Sequence, residues 1–265
     1  MNGVLFAALL VVWQEKSGGG DPTVLPQANA ANSTNPTVVK DLDLAANAPL
    51  STLNNKQRLS YDQWVTLLGQ EMSIMAAKNP DHLTILLGDS LSLWFPTELL
   101  PGRRVWMNQG ISGEKTHTLL TRLDSLNVAD VDTIFLMIGI NDLIWGQSDE
   151  QVIANYRDIM DYLSTHHPTT QIVVQSILPH GAETSTWESR ELLLELPNER
   201  IRKMNQSLEE IAQDYDAHYL ELYPIFSTGD GTLRSDLTTD GLHLNRQGYL
   251  VWRAAIALYS QLELP

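Results

Sequence analysis

The sequence Leu83-Thr84-Ile85-Leu86-Leu87 is a nearly continuous apolar run, and it leads directly into Gly88-Asp89-Ser90. An apolar run of this length that ends at a turn signal is typical of a strand buried on both faces. Similar runs lie at Thr133–Ile138, Gln171–Ser176 and His218–Leu222, with a weaker one at Val105–Met107. These runs predict five strands.

Helical patterns separate the strand-like runs. Tyr61 to Met75 repeats apolar residues at helical spacing, and Ser60 is placed to cap the start. Further helical segments are predicted at Thr116–Leu126, at Glu150–Leu163, at Trp187–Tyr215 with a break at Pro197, and at Asn245–Leu262. Alternating strands and helices indicate a parallel sheet that helices cover on both faces. The predicted fold class is therefore α/β, with five strands in a doubly wound order.

The first 58 residues differ in composition from the rest of the chain. Val4–Trp13 is an apolar run shorter than the roughly 20 residues of a membrane-spanning helix. It suits a signal peptide, a membrane anchor or a flexible tail, and we favour export or anchoring. Residues 17–58 are rich in small and polar residues and read as a disordered linker. The predicted domains are an apolar segment (1–16), this linker (17–58) and one folded domain (59–265).

Composition excludes several classes of function. The 265-residue chain has a formal net charge of −15, so its surface repels phosphate backbones and nucleic acid is an unexpected partner. It has no cysteine, which excludes disulfides, thiolate metal sites and a cysteine nucleophile. No zinc spacing, calcium loop or phosphate-binding glycine loop is present. Neither a metal nor a cofactor is therefore expected.

Three polar segments directly follow predicted strands. They are Gly88–Leu91, Asn108–Gly113 and Gly139–Asp142. A fourth, Asp240–His243, lies after the last strand and just before the final helix. Ligands of open α/β sheets bind outside the carboxyl ends of the strands, so the segments are expected to meet at one rim.

Together these segments contain the groups needed for acyl transfer. Ser90 is the candidate nucleophile, and His243 is the candidate general base. Asp240 lies three residues before His243, where its carboxylate can orient the imidazole. Each segment alone also reads as an ordinary turn or helix cap, so the hypothesis depends on their combination.

The same segments supply candidate oxyanion donors. The N–H of Ser90 lies at a predicted helix start, where backbone N–H groups stabilise negative charge. Gly113 can point its N–H toward a ligand, with Gly110 as the rival donor in the same loop. The side-chain amide of Asn141 can reach the same oxygen, although an Asn-Asp pair is also common in turns.

The four segments resemble the motif blocks of the SGNH, or GDSL-type, hydrolase family, over roughly Leu83 to Tyr259. The resemblance implies a flavodoxin-like three-layer α/β/α sandwich with a five-stranded parallel sheet and no cofactor. It implies Ser90 as nucleophile and His243 as base, with Asp240 orienting the His. It also implies an oxyanion hole formed by Ser90, Gly113 and Asn141. Some members dispense with the carboxylate, which makes Asp240 the most replaceable of the three.

Apolar residues near the motifs suggest a substrate pocket. Trp94 follows Ser90, and Leu143 and Trp145 follow Asn141, so all three are candidates to line it, although ordinary loop packing explains them equally well. The expected activity is a serine esterase whose substrate is a small-molecule or glycan ester. A short acyl chain or an acetylated carbohydrate is preferred over a lipid ester or a thioester. Two alternatives remain, an acyltransferase and a non-catalytic carbohydrate- or surface-binding module, and oligomeric state is left open.

Overall fold

The computed structural model describes residues 59–102 and 104–264. The predicted apolar segment and linker lie outside the described residues, and export or anchoring therefore stays a prediction. Within the described ranges no helix is both long and apolar enough to cross a bilayer.

Five strands form a single all-parallel sheet. They are β1 (Leu83–Gly88), β2 (Val105–Gly110), β3 (Thr133–Met137), β4 (Gln171–Gln175) and β5 (His218–Leu220). Their order is β2-β1-β3-β4-β5. The chain moves from β1 to β2 on one side and then crosses back to β3 on the other. This reversal makes the carboxyl ends of β1 and β3 the switch point where ligands of such sheets bind.

Nine α-helices lie among the described residues. They are α1 (Tyr61–Lys78), α2 (Ser90–Leu93), α3 (Thr116–Leu120), α4 (Ile140–Ile144), α5 (Asp149–His166), α6 (Arg190–Glu195), α7 (Asn198–Asp214), α8 (Tyr223–Phe226) and α9 (Arg246–Leu262). Short 3₁₀ turns at Thr97–Leu99, Leu123–Val128, Ala182–Thr184 and Ser235–Leu237 complete the connections.

The core lies on both faces of the sheet. Along β3, Ile134 and Leu136 join the apolar cluster on one face, while Phe135 and Met137 join the cluster on the other. Successive strand residues point to opposite faces, so each face packs against its own layer of helices. The flavodoxin-like three-layer α/β/α sandwich with a five-stranded parallel sheet is therefore confirmed.

Helix α1 begins where the sequence predicts it. The Ser60 side chain accepts the N–H of Gln63, and the Gln63 side chain accepts the N–H of Ser60, which completes a capping box. Trp64 and Leu68 of α1 pack with Ile111, which lies in the loop after β2. The helix is thereby attached beside the loop that contains Gly113.

Several segments differ from the prediction, and β2, for example, continues to Gly110 instead of ending at Met107. Thr116–Leu126 is not one helix, because Arg122 leaves helical geometry at φ −121° and turns its guanidinium inward to Glu114. Strand β5 ends at Leu220 rather than Leu222, because the Ser176 hydroxyl accepts the N–H of Leu222. The predicted break at Pro197 is present between α6 and α7.

Candidate active site

Ser90 lies at the turn between β1 and α2. Strand β1 ends at Gly88 with φ +157°, and a Cβ there would lie 2.0 Å from the carbonyl oxygen of Met137. Only glycine can make this close approach without moving the backbone. Asp89 caps α2 by accepting the N–H of Leu91 at 3.0 Å. Ser90 is therefore held at the carboxyl edge of the sheet, with its N–H in the unpaired first turn of a helix.

His243 and Asp240 share a tight loop before α9. Asp240 Oδ2 lies 2.8 Å from His243 Nδ1, and Asp240 Oδ1 accepts the backbone N–H groups of Leu242 and His243 at 2.9 and 2.7 Å. Burial alone would raise the pKa of the Asp240 carboxyl, but these hydrogen bonds, led by that of the His243 ring, leave it below its usual value. The carboxylate is therefore held ionised and aimed at the ring.

The ring of His243 connects Asp240 to Ser90. Its Nε2 lies 3.2 Å from Ser90 Oγ, although the two residues are 153 positions apart. A carboxylate only accepts hydrogen bonds, so Nδ1 carries the proton and the lone pair of Nε2 faces the hydroxyl. This arrangement can draw the proton from Ser90 Oγ as that oxygen attacks a carbonyl.

Gly113 and Asn141 lie at the same rim. Gly113 has φ +76°, and no group in the described residues accepts a hydrogen bond from its N–H. Gly110, the rival donor, already donates its N–H to Asn108 Oδ1 at 3.0 Å. Asn141 Nδ2 donates to the carbonyl of Glu114 at 3.1 Å, and its second amide hydrogen has no acceptor in the part of the chain that the structure describes. The geometry therefore favours Gly113 over Gly110.

Asp142 ties the two loops of the rim together. This buried carboxylate accepts the N–H of Thr116 at 3.0 Å and its hydroxyl at 2.6 Å. Asn155 of α5 in turn donates to the Thr116 hydroxyl at 2.7 Å. These bonds fix the start of α4, which contains Asn141, against the start of α3.

A comparison with known protein families agrees with this geometry. Residues 73–251 match the model of the GDSL-like Lipase/Acylhydrolase family, which is more than half of the chain. The chain belongs to this family. The protein is therefore a GDSL-like hydrolase.

Known proteins similar to this GDSL-like hydrolase include enzymes named for acetyl esters. It is 25% identical over 196 residues to the platelet-activating factor acetylhydrolase IB subunit alpha1 of Pongo abelii, which covers 71% of this chain and 78% of that protein. A Streptococcus pneumonia structure assigned as a platelet activating factor is 27% identical, with a TM-score of 0.69 and coverage of 79% and 97%. The acetylxylan esterase Axe2 of Geobacillus stearothermophilus shares the fold, at 15% identity, a TM-score of 0.52 and coverage of 70% and 97%.

The predicted pocket residues of this hydrolase have different environments. Trp145 is 56% exposed, and Trp94 lines a cavity of about 370 Å³ beside Ser112. Leu143 is instead 2% exposed and packs in the core, so its environment differs from that of the two tryptophans. In a helix, residues two apart point to opposite sides and residues four apart to the same side. Trp145 therefore shares the face of Asn141, and Leu143 does not.

The sequence did not single out the ion pair behind the rim. Glu114 and Arg122 are both buried, with two contacts of 2.6 and 2.5 Å between their charged groups. Buried charges are rare unless paired, but a Glu and an Arg eight residues apart give no sequence signal for such a pair. In the described residues no group of three or more acidic or histidine side chains is arranged to hold a metal ion.

A third buried carboxyl, that of Asp89, lies next to the nucleophile candidate. Asp89 is fully buried, and its Oδ2 atom has no hydrogen-bond partner in the described residues. Burial raises the pKa of Asp89 to about 7, an effect that its hydrogen bond from Leu91 opposes. The folded protein therefore holds this proton more tightly than the unfolded chain does.

The raised pKa of Asp89 predicts that the free energy of unfolding depends on pH. Because the folded-state pKa lies above the unfolded value, stability from Asp89 is present at acid pH and is lost as the pH rises from about 4 through 7. Asp89→Asn cannot ionise, so relative to this variant the wild type should lose about 3 kcal/mol between pH 5 and pH 8. Urea unfolding at both pH values measures the difference. Equal losses in both proteins would show that Asp89 titrates normally.

Proposed function

We propose that this hydrolase is a serine esterase that works through a covalent acyl-enzyme. The observation that supports the proposal most strongly is the 3.2 Å approach of His243 Nε2 to Ser90 Oγ, with Asp240 on the other ring nitrogen. As Ser90 Oγ bonds to the ester carbonyl, its proton passes to His243. Collapse of the tetrahedral intermediate expels the alcohol, which takes that proton and leaves an acyl group on Ser90.

Water completes the cycle at the same groups. A water molecule attacks the acyl carbonyl and gives a proton to His243, and collapse returns that proton to Ser90 Oγ as the carboxylic acid leaves. In both halves the oxyanion accepts hydrogen bonds from the N–H groups of Ser90 and Gly113 and from the amide of Asn141. Among the described residues the N–H of Gly113 and the second amide hydrogen of Asn141 have no acceptor, which supports this assignment.

We further propose that the preferred substrate is a short-chain ester of a carbohydrate. Trp145 offers an exposed ring on the helix face of Asn141, and Lys115 Nζ lies 6.0 Å from the ring centroid. An exposed aromatic face can stack on the apolar face of a sugar, while a nearby ammonium donates to sugar oxygens. The names of two relatives, an acetylhydrolase and an acetylxylan esterase, also refer to acetyl groups.

Replacing Trp145 by Ala tests the substrate proposal. Loss of the stacking surface should raise KM for acetylated xylo-oligosaccharides by about 3- to 10-fold. The KM for 4-nitrophenyl acetate, which has no sugar, should change less than twofold. Initial rates over a range of each ester measure both constants.

Leu262→Ala is a matched control, since Leu262 is also 56% exposed but lies at the end of α9. It should leave both KM values unchanged. An unchanged sugar-ester KM in Trp145→Ala would refute stacking on this ring. An equal rise for both esters would indicate a general distortion of the site instead.

A further inference from the structure

Besides its apolar packing on Ile111, helix α1 is hydrogen-bonded, through the Tyr61 hydroxyl, to the loop that contains Gly113. Tyr61 donates to Glu114 Oε1 at 3.2 Å and to the carbonyl of Thr118 at 2.9 Å. Tyr61 lies before residues 73–251, which are the part of the chain that matches the family. A side chain outside the part of the chain that matches the family is therefore hydrogen-bonded to the loop that contains Gly113.

The partner of Tyr61 is itself fixed by a buried ion pair. Arg122 donates through Nε to Glu114 Oε1 at 2.6 Å and through Nη2 to Oε2 at 2.5 Å. Nη2 also donates to the carbonyl of Gln109 at 2.7 Å, at the end of β2. A bidentate pair of this kind has only one orientation and resists displacement. The Glu114 side chain is thus anchored to the sheet and to α1 at once.

The main chain of Glu114 supports two of the three proposed oxyanion donors, Gly113 and Asn141. Its N–H donates to the carbonyl of Ile111 at 3.2 Å, which closes the turn containing Gly113. Gly113 is its covalent neighbour, and the Glu114 carbonyl accepts from Asn141 Nδ2 at 3.1 Å. A shift of Glu114 would therefore move the Gly113 N–H and the Asn141 amide together.

We propose that Tyr61, Glu114 and Arg122 are positioning residues that set the geometry of the oxyanion hole. Helix α1 then belongs to the catalytic apparatus and does not merely pack against it. The inference rests on the proposed acyl-enzyme function. Oxyanion donors act on the charge that develops in the transition state, so loosening them lowers kcat and leaves KM nearly unchanged.

Tyr61→Phe tests the network with a mild change. The ring stays packed against its apolar neighbours, and only the hydroxyl is lost. We expect kcat for 4-nitrophenyl acetate to fall by about 5- to 30-fold, with KM within twofold of wild type. The inhibition constant of a trifluoromethyl ketone, which forms an oxyanion on the nucleophile, should rise by a similar factor.

Tyr215→Phe is the matched control. The Tyr215 hydroxyl also donates to one carboxylate, that of Asp161, and to one carbonyl, that of Arg157, but it lies between α5 and α7. The control should lose similar structural hydrogen bonds and keep the wild-type kcat and inhibition constant. Equal kcat losses in both variants would reduce Tyr61 to a structural role and overturn the proposal.

Glu114→Gln gives a second, stronger test, because it weakens the ion pair and keeps the side-chain volume. We expect a larger kcat loss than in Tyr61→Phe, again without a matching change in KM. Full activity in both variants would overturn the positioning network while leaving Ser90→Ala inactive. Activity in Ser90→Ala would instead refute the acyl-enzyme mechanism, so the two failures are distinguishable.

Discussion

His243→Ala should lower kcat for 4-nitrophenyl acetate by about 10⁴- to 10⁶-fold. In the described residues Ser90 Oγ is hydrogen-bonded to the His243 ring and to no other proton acceptor, and a neutral hydroxyl is a weak nucleophile without such a base. The side chain is 25% exposed in a loop, so its loss should leave the sheet and both apolar clusters intact. Steady-state rates and thermal unfolding of the purified variant measure the two effects separately.

His218→Ala is the control for this variant. His218 is also partly buried, and its ring is hydrogen-bonded to Gln171 Oε1 at 2.9 Å. It is the first residue of β5 and therefore lies at the amino ends of the strands, whereas the candidate site lies at their carboxyl ends. It should keep wild-type turnover. Residues that act as one unit have non-additive effects, so the double variant of Ser90 and His243 should be no slower than the slower of the two single variants. A further loss in the double variant would mean that the two residues act separately.

The strands were predictable because of their burial. A central parallel strand is covered on both faces, so β1 and β3 read as apolar runs with no alternation. Their shared rim followed from the rule that ligands bind beyond the carboxyl ends of such strands. The motif segments that contain Ser90, Gly113 and Asn141 follow the carboxyl ends of β1, β2 and β3. Their proximity was therefore predictable from the sequence.

Segments governed by side chains distant in the sequence were less predictable. The inward turn of Arg122 toward Glu114 splits a segment whose local pattern is helical throughout. Tertiary contacts override helix propensity in this way, and periodicity contains no information about them. The same limit hid the bond from Tyr61 to Glu114, since 53 residues separate the two side chains.

Helix phase explains why Leu143 and Trp145 lie in different environments. Their closeness to Asn141 in the sequence suggested that Leu143 and Trp145 line one pocket. In a helix such as α4, however, each residue is rotated by about 100° about the axis relative to the one before it. Trp145 returns to the face of Asn141, while Leu143 packs with the core. The helical period, counted from Asn141, places the two side chains on different faces of α4.

Ser90→Ala should abolish turnover, with a kcat loss on the order of 10⁶-fold. Alanine has no hydroxyl oxygen that can attack the ester and carry the acyl group. Ser92→Ala is a close control in the same short helix. Its hydroxyl is buried and has no hydrogen-bond partner in the described residues, so its removal should change neither kcat nor the fold. Activity that survives in Ser90→Ala would require another nucleophile.

Covalent trapping of Ser90 tests the mechanism most directly. The wild-type enzyme is treated with a fluorophosphonate, digested, and analysed by mass spectrometry to locate the modified residue. The acyl-enzyme mechanism predicts one phosphonyl group per chain, attached to Ser90, and no labelling of Ser90→Ala under the same conditions. A modification at another residue, or an active enzyme that stays unlabelled, would contradict it.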